Sequence, residues 1–242
     1  MHSKLRFLLL QVRNDDDPMI AHEIRCFAKA LGCRTDQIAT HDLISGPPTD
    51  RLLDACDMVV LGGSGDYSVA SGGPWLPRAL DGVRRLVDQA KPTFASCWGF
   101  QALAQALGGQ VVTDLSRAEL GTIEITLTQA GLSDPIFGAA GSRFLAPAGH
   151  QDRVAVLPPQ AELLASSAKV DHQAFRLPGK PIYCTQFHPE LGRADLLVRV
   201  GAYPTYIQKI SGMSREEFEA ACQETPACEK LLARFLAHFF GE

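Results

Sequence analysis

Several features are missing from this sequence, and each absence excludes a class. No apolar run approaches the length of a membrane span. The one near the start, within MHSKLRFLLLQV, is also too short for a secretory signal core. There is no dense Lys/Arg block, and the formal charge is −4, so a nucleic-acid-binding surface is not expected. The seven cysteines are odd in number, scattered and free of any CxxC pair. That fits free thiols in a reducing cytoplasm better than a disulfide framework or a zinc site. His188-Pro189-Glu190 has the HxE form of zinc deaminases, but the PCxxC such a site requires does not follow. Gly62-Gly63-Ser64-Gly65 lacks the lysine of a phosphate loop and the spacing of a dinucleotide fingerprint. Repeats, low-complexity tracts and linkers are absent too. The expectation is therefore one domain over residues 1–242, with a helical C-terminal extension from about 194 to 242.

What is present is a 242-residue chain with 46% hydrophobic residues, enough for a large core. Leu5–Val12, Ile38–Leu43 and Met58–Leu61 read as strands. Ile20–Leu31 and Trp75–Ala90 read as helices, and Arg51–Asp54 as a helical turn. Strands alternating with helices imply an α/β fold with a mostly parallel central sheet. After Gly109 come short runs at 122–128, 143–146, 153–156, 163–166, 173–177 and 182–187. They predict an added antiparallel, β-rich part. From Ala194 the pattern is helical. Ser214 to Glu217 has the residue types of a capping box, read here as one residue short of ideal spacing. Leu231, Leu232, Phe235, Leu236 and Phe239 form the stripe of a last helix.

The centre of the chain is Pro92–Gly109, PTFASCWGFQALAQALGG. A buried strand at 92–96 leads to a helix over 100–107, and Gly108-Gly109 stops it. Cys97 lies at the join. A lone cysteine reads first as a small buried hydrophobe. Here Ala95 two before and Gly99 two after give the small flanks of a nucleophile elbow, with the thiol at the positive end of a helix.

His188 and Glu190 lie two apart in an extended segment, so both side chains fall on one side of it. A cysteine nucleophile needs such a base and such a carboxylate. The alternative is a surface histidine near a turn. Gly62 to Asp66 follows a strand and reads either as a tight turn or as an oxyanion hole formed with the Trp98 N–H. Gly149-His150-Gln151-Asp152 reads as a polar turn between strands.

Together, Leu61-Gly62-Gly63, Cys97-Trp98-Gly99-Phe100-Gln101, Glu119-Leu120-Gly121, Gly149 to Val154, Leu157-Pro158 and Gln186 to Glu190 resemble the class I (triad-type) glutamine amidotransferases, and in particular the glutaminase domain of GMP synthetase. The resemblance covers roughly Met58 to Glu190. It implies a flavodoxin-like fold, with Cys97 as nucleophile, His188 as base and Glu190 as its orienter. Gly63 or Ser64 with Trp98 would supply the oxyanion N–H groups. Gln101, Gly121 and Thr122 would hold the glutamine ends, with His150 and Asp152 bordering the site. No metal or organic cofactor is implied. Two departures stand out: Ala95 and Ser96 replace the usual glycine and aliphatic residue, and the Gly-rich loop is one residue longer.

The chemistry implied is hydrolysis of glutamine's γ-amide through a γ-glutamyl thioester, with ammonia passed to a separate synthetase. No ATP-binding loop or synthetase segment follows in the sequence. The rival readings are a self-sufficient cytosolic hydrolase of γ-glutamyl peptides or amides, and a non-catalytic regulatory relative.

Overall fold

The structure, a computed structural model, describes residues 4–203 and 207–241. Residues 1–3 and, within the expected helical tail, residues 204–206 and 242 lie outside them. The strands are β1 (Phe7–Gln11), β2 (Ile38–Asp42), β3 (Met58–Leu61), β4 (Thr93–Ser96), β5 (Gln110–Thr113), β6 (Glu119–Leu127), β7 (Arg143–His150), β8 (Asp152–Val156), β9 (Glu162–Ser167), β10 (Ala174–Arg176) and β11 (Ile182–Thr185). The helices are α1 (Met19–Leu31), α2 (Asp50–Asp54), α3 (Leu76–Asp88), α4 (Trp98–Ala106), α5 (Gln129–Ser133), α6 (Arg193–Ala202), α7 (Arg215–Ala221), α8 (Pro226–Glu229) and α9 (Leu231–Phe240).

Nine strands form one sheet in the order β2-β1-β3-β4-β11-β10-β9-β6-β7. The first five run parallel, and the remaining pairs are antiparallel. The mostly parallel sheet with an antiparallel addition agrees with the sequence expectation. Strands β1, β3, β4 and β11 are buried along their whole length. Covered on both faces, they are continuous apolar runs rather than alternating ones. Leu8 and Leu10 of β1 face a core shared with α3 and α4, through Val83, Leu86, Phe100 and Leu103. Phe7 and Leu9 face the opposite core, with Phe27 of α1 and Phe235 of α9. Alternate side chains of one strand thus bind the two helical layers.

Three readings need correction. A short pair, β5 with β8, was not anticipated. Strand β7 runs on through His150, so only Gln151 turns where a four-residue polar turn was expected. The Ser214 box is ideally spaced: Ser214 Oγ accepts from Glu217 N at 3.2 Å and Glu217 Oε2 accepts from Ser214 N at 2.8 Å. Glu217 occupies the third helical position, where the reciprocal bonds close. Among the described residues, no helix is long and apolar enough to cross a membrane.

Candidate active site

Three consecutive parallel strands, β3, β4 and β11, deliver the site at their C-terminal ends, where α/β sheets place their clefts. Registers Leu61↔Ala95 and Ser96↔Thr185 align the three ends. The bond from Cys97 N to Thr185 O, 2.8 Å, extends the ladder one residue further. Cys97 then breaks the strand with φ +52° and ψ −103°, and α4 begins at Trp98. A non-glycine residue held there is strained and signals a constrained site. The elbow needs its small flanks. A Cβ on Gly99 would lie 2.5 Å from Leu61 Cβ and 3.1 Å from Ala95 Cβ.

The glycine loop after β3 closes over the thiol. A Cβ on Gly63 would lie 3.0 Å from His188 Cε1 and 3.8 Å from Cys97 Sγ, so ring and thiol meet across this glycine. Beneath the loop, Arg13 and Glu23 form a buried two-pronged ion pair, both bonds 3.0 Å. Arg13 Nη2 also donates to Gly63 O at 3.1 Å. A Cβ on Gly62 would collide with Glu23 Oε1.

The thiol of Cys97 faces Gly149 O at 3.7 Å, and Gln186 Nε2 approaches Sγ at 3.8 Å. His188 Nδ1 and Glu190 Oε1 are 2.7 Å apart, both residues buried. Burial alone would discharge His188, but the charges of Glu190 and Cys97 outweigh it and raise the imidazole well above its ordinary value. Burial would likewise raise Glu190, yet His188 and Arg199 hold its carboxyl below the usual range. Arg199 Nη1 donates to Glu190 Oε1 at 3.3 Å. Residues 97, 188 and 190, remote in sequence, thus lie close together around Gly63.

Two cavities meet at Cys97. The larger, about 190 Å³, includes Asp66, Ser68, Trp98, Gln101, His150 and Asp152 in its wall. The smaller, about 50 Å³, is bounded by Arg13, Leu120, His188, Leu196, Arg199 and Tyr203 among others. Ser64, Gly65, Cys97 and Gly149 border both.

Other expected residues sort unevenly. Trp98 stands at the first helical position, whose N–H has no intrahelical acceptor. Gln101 lines the larger cavity but spends its amide on Asp152 O and Gln186 Oε1. His150 uses both ring nitrogens, on Glu119 Oε2 and Asp152 O. Gly121 and Thr122 line neither cavity. Phe218 covers Gly121, and Thr122 exchanges hydrogen bonds with Gln223. Sequence reasoning missed Arg13, Glu23, Arg199 and Tyr203. Arg13 follows the end of β1, a position that should attract notice in a parallel sheet; Arg199 carries no comparable signal.

Among the described residues, His22, Cys26 and Asp195 bring potential metal-ligand atoms within 4.8 Å of one another. Their surroundings oppose a cation. Lys29 Nζ already holds Asp195 at 3.2 Å, burial pushes the Cys26 thiol up to about 12, and burial with the Arg199 charge holds His22 low.

The sequence matches the family model for class-I glutamine amidotransferases over residues 23–194. The chain belongs to that family. Among its relatives, a glutamine-hydrolysing GMP synthase subunit of Methanothermobacter thermautotrophicus is 33% identical over 51% of this chain and 64% of that protein. The corresponding protein of Methanocaldococcus jannaschii is 32% identical over 52% and 65%. The chain thus spans less than two thirds of either one. γ-Glutamyl peptidase 4 of Arabidopsis thaliana is 27% identical over 87% of this chain and 85% of its own. The crystal structure of a Thermotoga maritima glutamine amidotransferase superposes with a TM-score of 0.73, at 21% identity over 98% of both chains. That last likeness speaks for the fold. In this member of the amidotransferase family, most of α6, including Arg199, lies beyond the family match.

Proposed function

We propose that the chain hydrolyses a γ-glutamyl amide, glutamine being the simplest, by cysteine chemistry. The observation carrying this reading is a thiol on a strained elbow, facing an imidazole that a buried carboxylate holds at 2.7 Å. His188 takes the proton of Cys97, and Sγ attacks the γ-carbonyl carbon. N–H groups of Trp98 and of Gly63 or Ser64 stabilise the oxyanion, where loss of one donor raises the barrier by about 3–4 kcal/mol. His188 returns its proton to the leaving nitrogen, the C–N bond breaks and a thioester remains. Water, losing a proton to His188, cleaves the thioester to glutamate and restores the thiol. Glu190 fixes the ring's tautomer and supports its charge. Gln101, through its engaged Nε2, and His150, through both ring nitrogens, brace the cavity wall.

If ammonia is the useful product, the partner is a separate synthetase that consumes it, the arrangement suggested by the likeness to GMP synthase subunits. A second reading, hydrolysis of γ-glutamyl peptides without a partner, draws on the near end-to-end similarity to γ-glutamyl peptidase 4. The test is glutamate release by the purified chain from glutamine and from γ-glutamyl amides, with mass spectrometry of the acyl-enzyme. A γ-glutamyl adduct on Cys97 is expected. No release from any compound, with Cys97 inert to alkylation, would refute both readings.

A further inference from the structure

The smaller cavity at Cys97 has charged residues around it but offers a ligand almost no polar surface. Leu120, Leu196, Val200 and Tyr203 wall it together with the glycine loop, His188 and two arginines, and the surface presented is almost wholly apolar. Neither arginine brings an open donor. Every nitrogen of the Arg13 guanidinium has an acceptor: Glu23 for Nε, Asp17 and Tyr203 for Nη1, Glu23 and Gly63 O for Nη2. In Arg199, Nη1 donates to Glu190, and Nε and Nη2 have essentially no accessible surface. The Tyr203 hydroxyl is turned to Asp17, to which it donates at 3.0 Å. Ser64, whose hydroxyl accepts from Tyr67 N at 3.1 Å, borders both cavities and stands where they meet. A carboxylate brought into this space would lose its water and gain no partner, which is costly.

The cavity's place in the reaction follows from proton transfer. His188 borders the smaller cavity and not the larger one. As the acid that protonates the departing nitrogen, it puts the leaving group on its own side. The glutamyl part, with its charged ends, then occupies the larger, polar side. For glutamine the leaving group is ammonia, which buries no carbon against the apolar wall.

We propose that the smaller cavity receives a small uncharged alkyl group on the departing nitrogen, so that the substrates it favours are γ-glutamyl amides of short alkylamines. The inference rests on the hydrolytic reading above and narrows its substrate class. Cavity size sets the length. About 50 Å³ gives room for roughly three to five water-sized centres, the heavy-atom count of ethylamine to butylamine. The step balances: Sγ–C forms, C–N breaks, the His188 proton goes to nitrogen, and the amine departs neutral. It takes up a further proton only on reaching water, so no charge enters the apolar space.

The experiment measures kcat/KM of the purified chain, as glutamate release, for two sets of compounds. The first is a shape-matched pair, γ-glutamylisobutylamide and γ-glutamylglycine, which differ in replacing two methyl groups with a carboxylate. The isobutylamide is expected to be favoured by roughly 10- to 100-fold. The second is the series from methylamide through ethylamide and propylamide to hexylamide, whose leaving amines have nearly equal basicity. Each added methylene should raise kcat/KM by roughly fourfold up to the propylamide, and the hexylamide should fall below it. In Leu196→Ala the longest amide still gaining should be at least one carbon longer. Equal or faster turnover of γ-glutamylglycine would overturn the proposal, and so would an alkyl series that is flat or falls from the methylamide onward, the pattern of a space that serves only to let ammonia pass. Both are wild-type measurements, so poor folding of Leu196→Ala leaves the question decidable. Glutamine hydrolysis without the alkyl preference defeats only this inference; no turnover of any γ-glutamyl compound defeats the hydrolytic reading itself.

Discussion

The two cavities that meet at Cys97 are walled by opposite materials. The larger is built mostly from polar side chains, several of them tied to one another: Asp152 alone holds Ser68 at 2.5 Å and Thr113 at 2.6 Å. The smaller is largely aliphatic, with one arginine still short of acceptors. Every residue lining the larger falls inside the stretch matched to the family, whereas Arg13, Leu196, Arg199, Val200 and Tyr203 of the smaller fall outside it.

The contrast can be broken at its shared point first. Cys97→Ala removes the atom both cavities serve and should lower kcat for every γ-glutamyl substrate by at least about 10⁴-fold, measured as glutamate release. On the arginine side, Glu190→Gln should cost roughly 10³–10⁴-fold in kcat, because the ring loses both its orientation and the charge that raises it. Its pH–rate profile should shift as the imidazole falls toward its ordinary value; an unshifted profile would count against Glu190 as the ring's partner. On the polar side, Asp152→Ala should mainly raise KM, by roughly tenfold, with kcat less affected, since it loosens the wall and not the proton relay.

The smallest effect is on stability. His188 is raised in the fold, so its contribution is full below the ordinary imidazole value and fades as pH climbs through the raised one. Glu190 is lowered, so its contribution is full above the ordinary carboxylate value and fades as pH falls through the depressed one. The Tm difference between wild type and Glu190→Gln should therefore peak between those two ordinary values. It should shrink on either side, as calorimetry across a pH series would record.

Legibility in the sequence followed the range of the interaction involved. Cys97 was readable because an elbow is local: strand, small flank, nucleophile, small flank, helix. His188 and Glu190 were readable as a pair because two residues of extended chain share a side. Their meeting with Cys97 rests on the parallel pairing of β4 with β11, which spacing alone does not specify and which the resemblance supplied. Short β5 escaped because four residues with mixed burial carry little pattern. Gly121 and Thr122 were expected at the substrate, but α7 and Gln223 pack over them, a tertiary event with no local trace. Arg199 was invisible for the same reason: a single arginine in an amphipathic helix looks like surface until the fold buries it.

The ion pair beneath the glycine loop has a consequence for how damage would spread. Glu23 occupies the space that a side chain at position 62 would need, and Arg13 tethers the carbonyl of Gly63. The glycine loop beside Cys97 is thus cast on a footing laid at the end of the first strand and on the first helix, dozens of residues upstream. A lesion such as Glu23→Gln would tilt that footing, and turnover would register the fault before the rest of the molecule gave way.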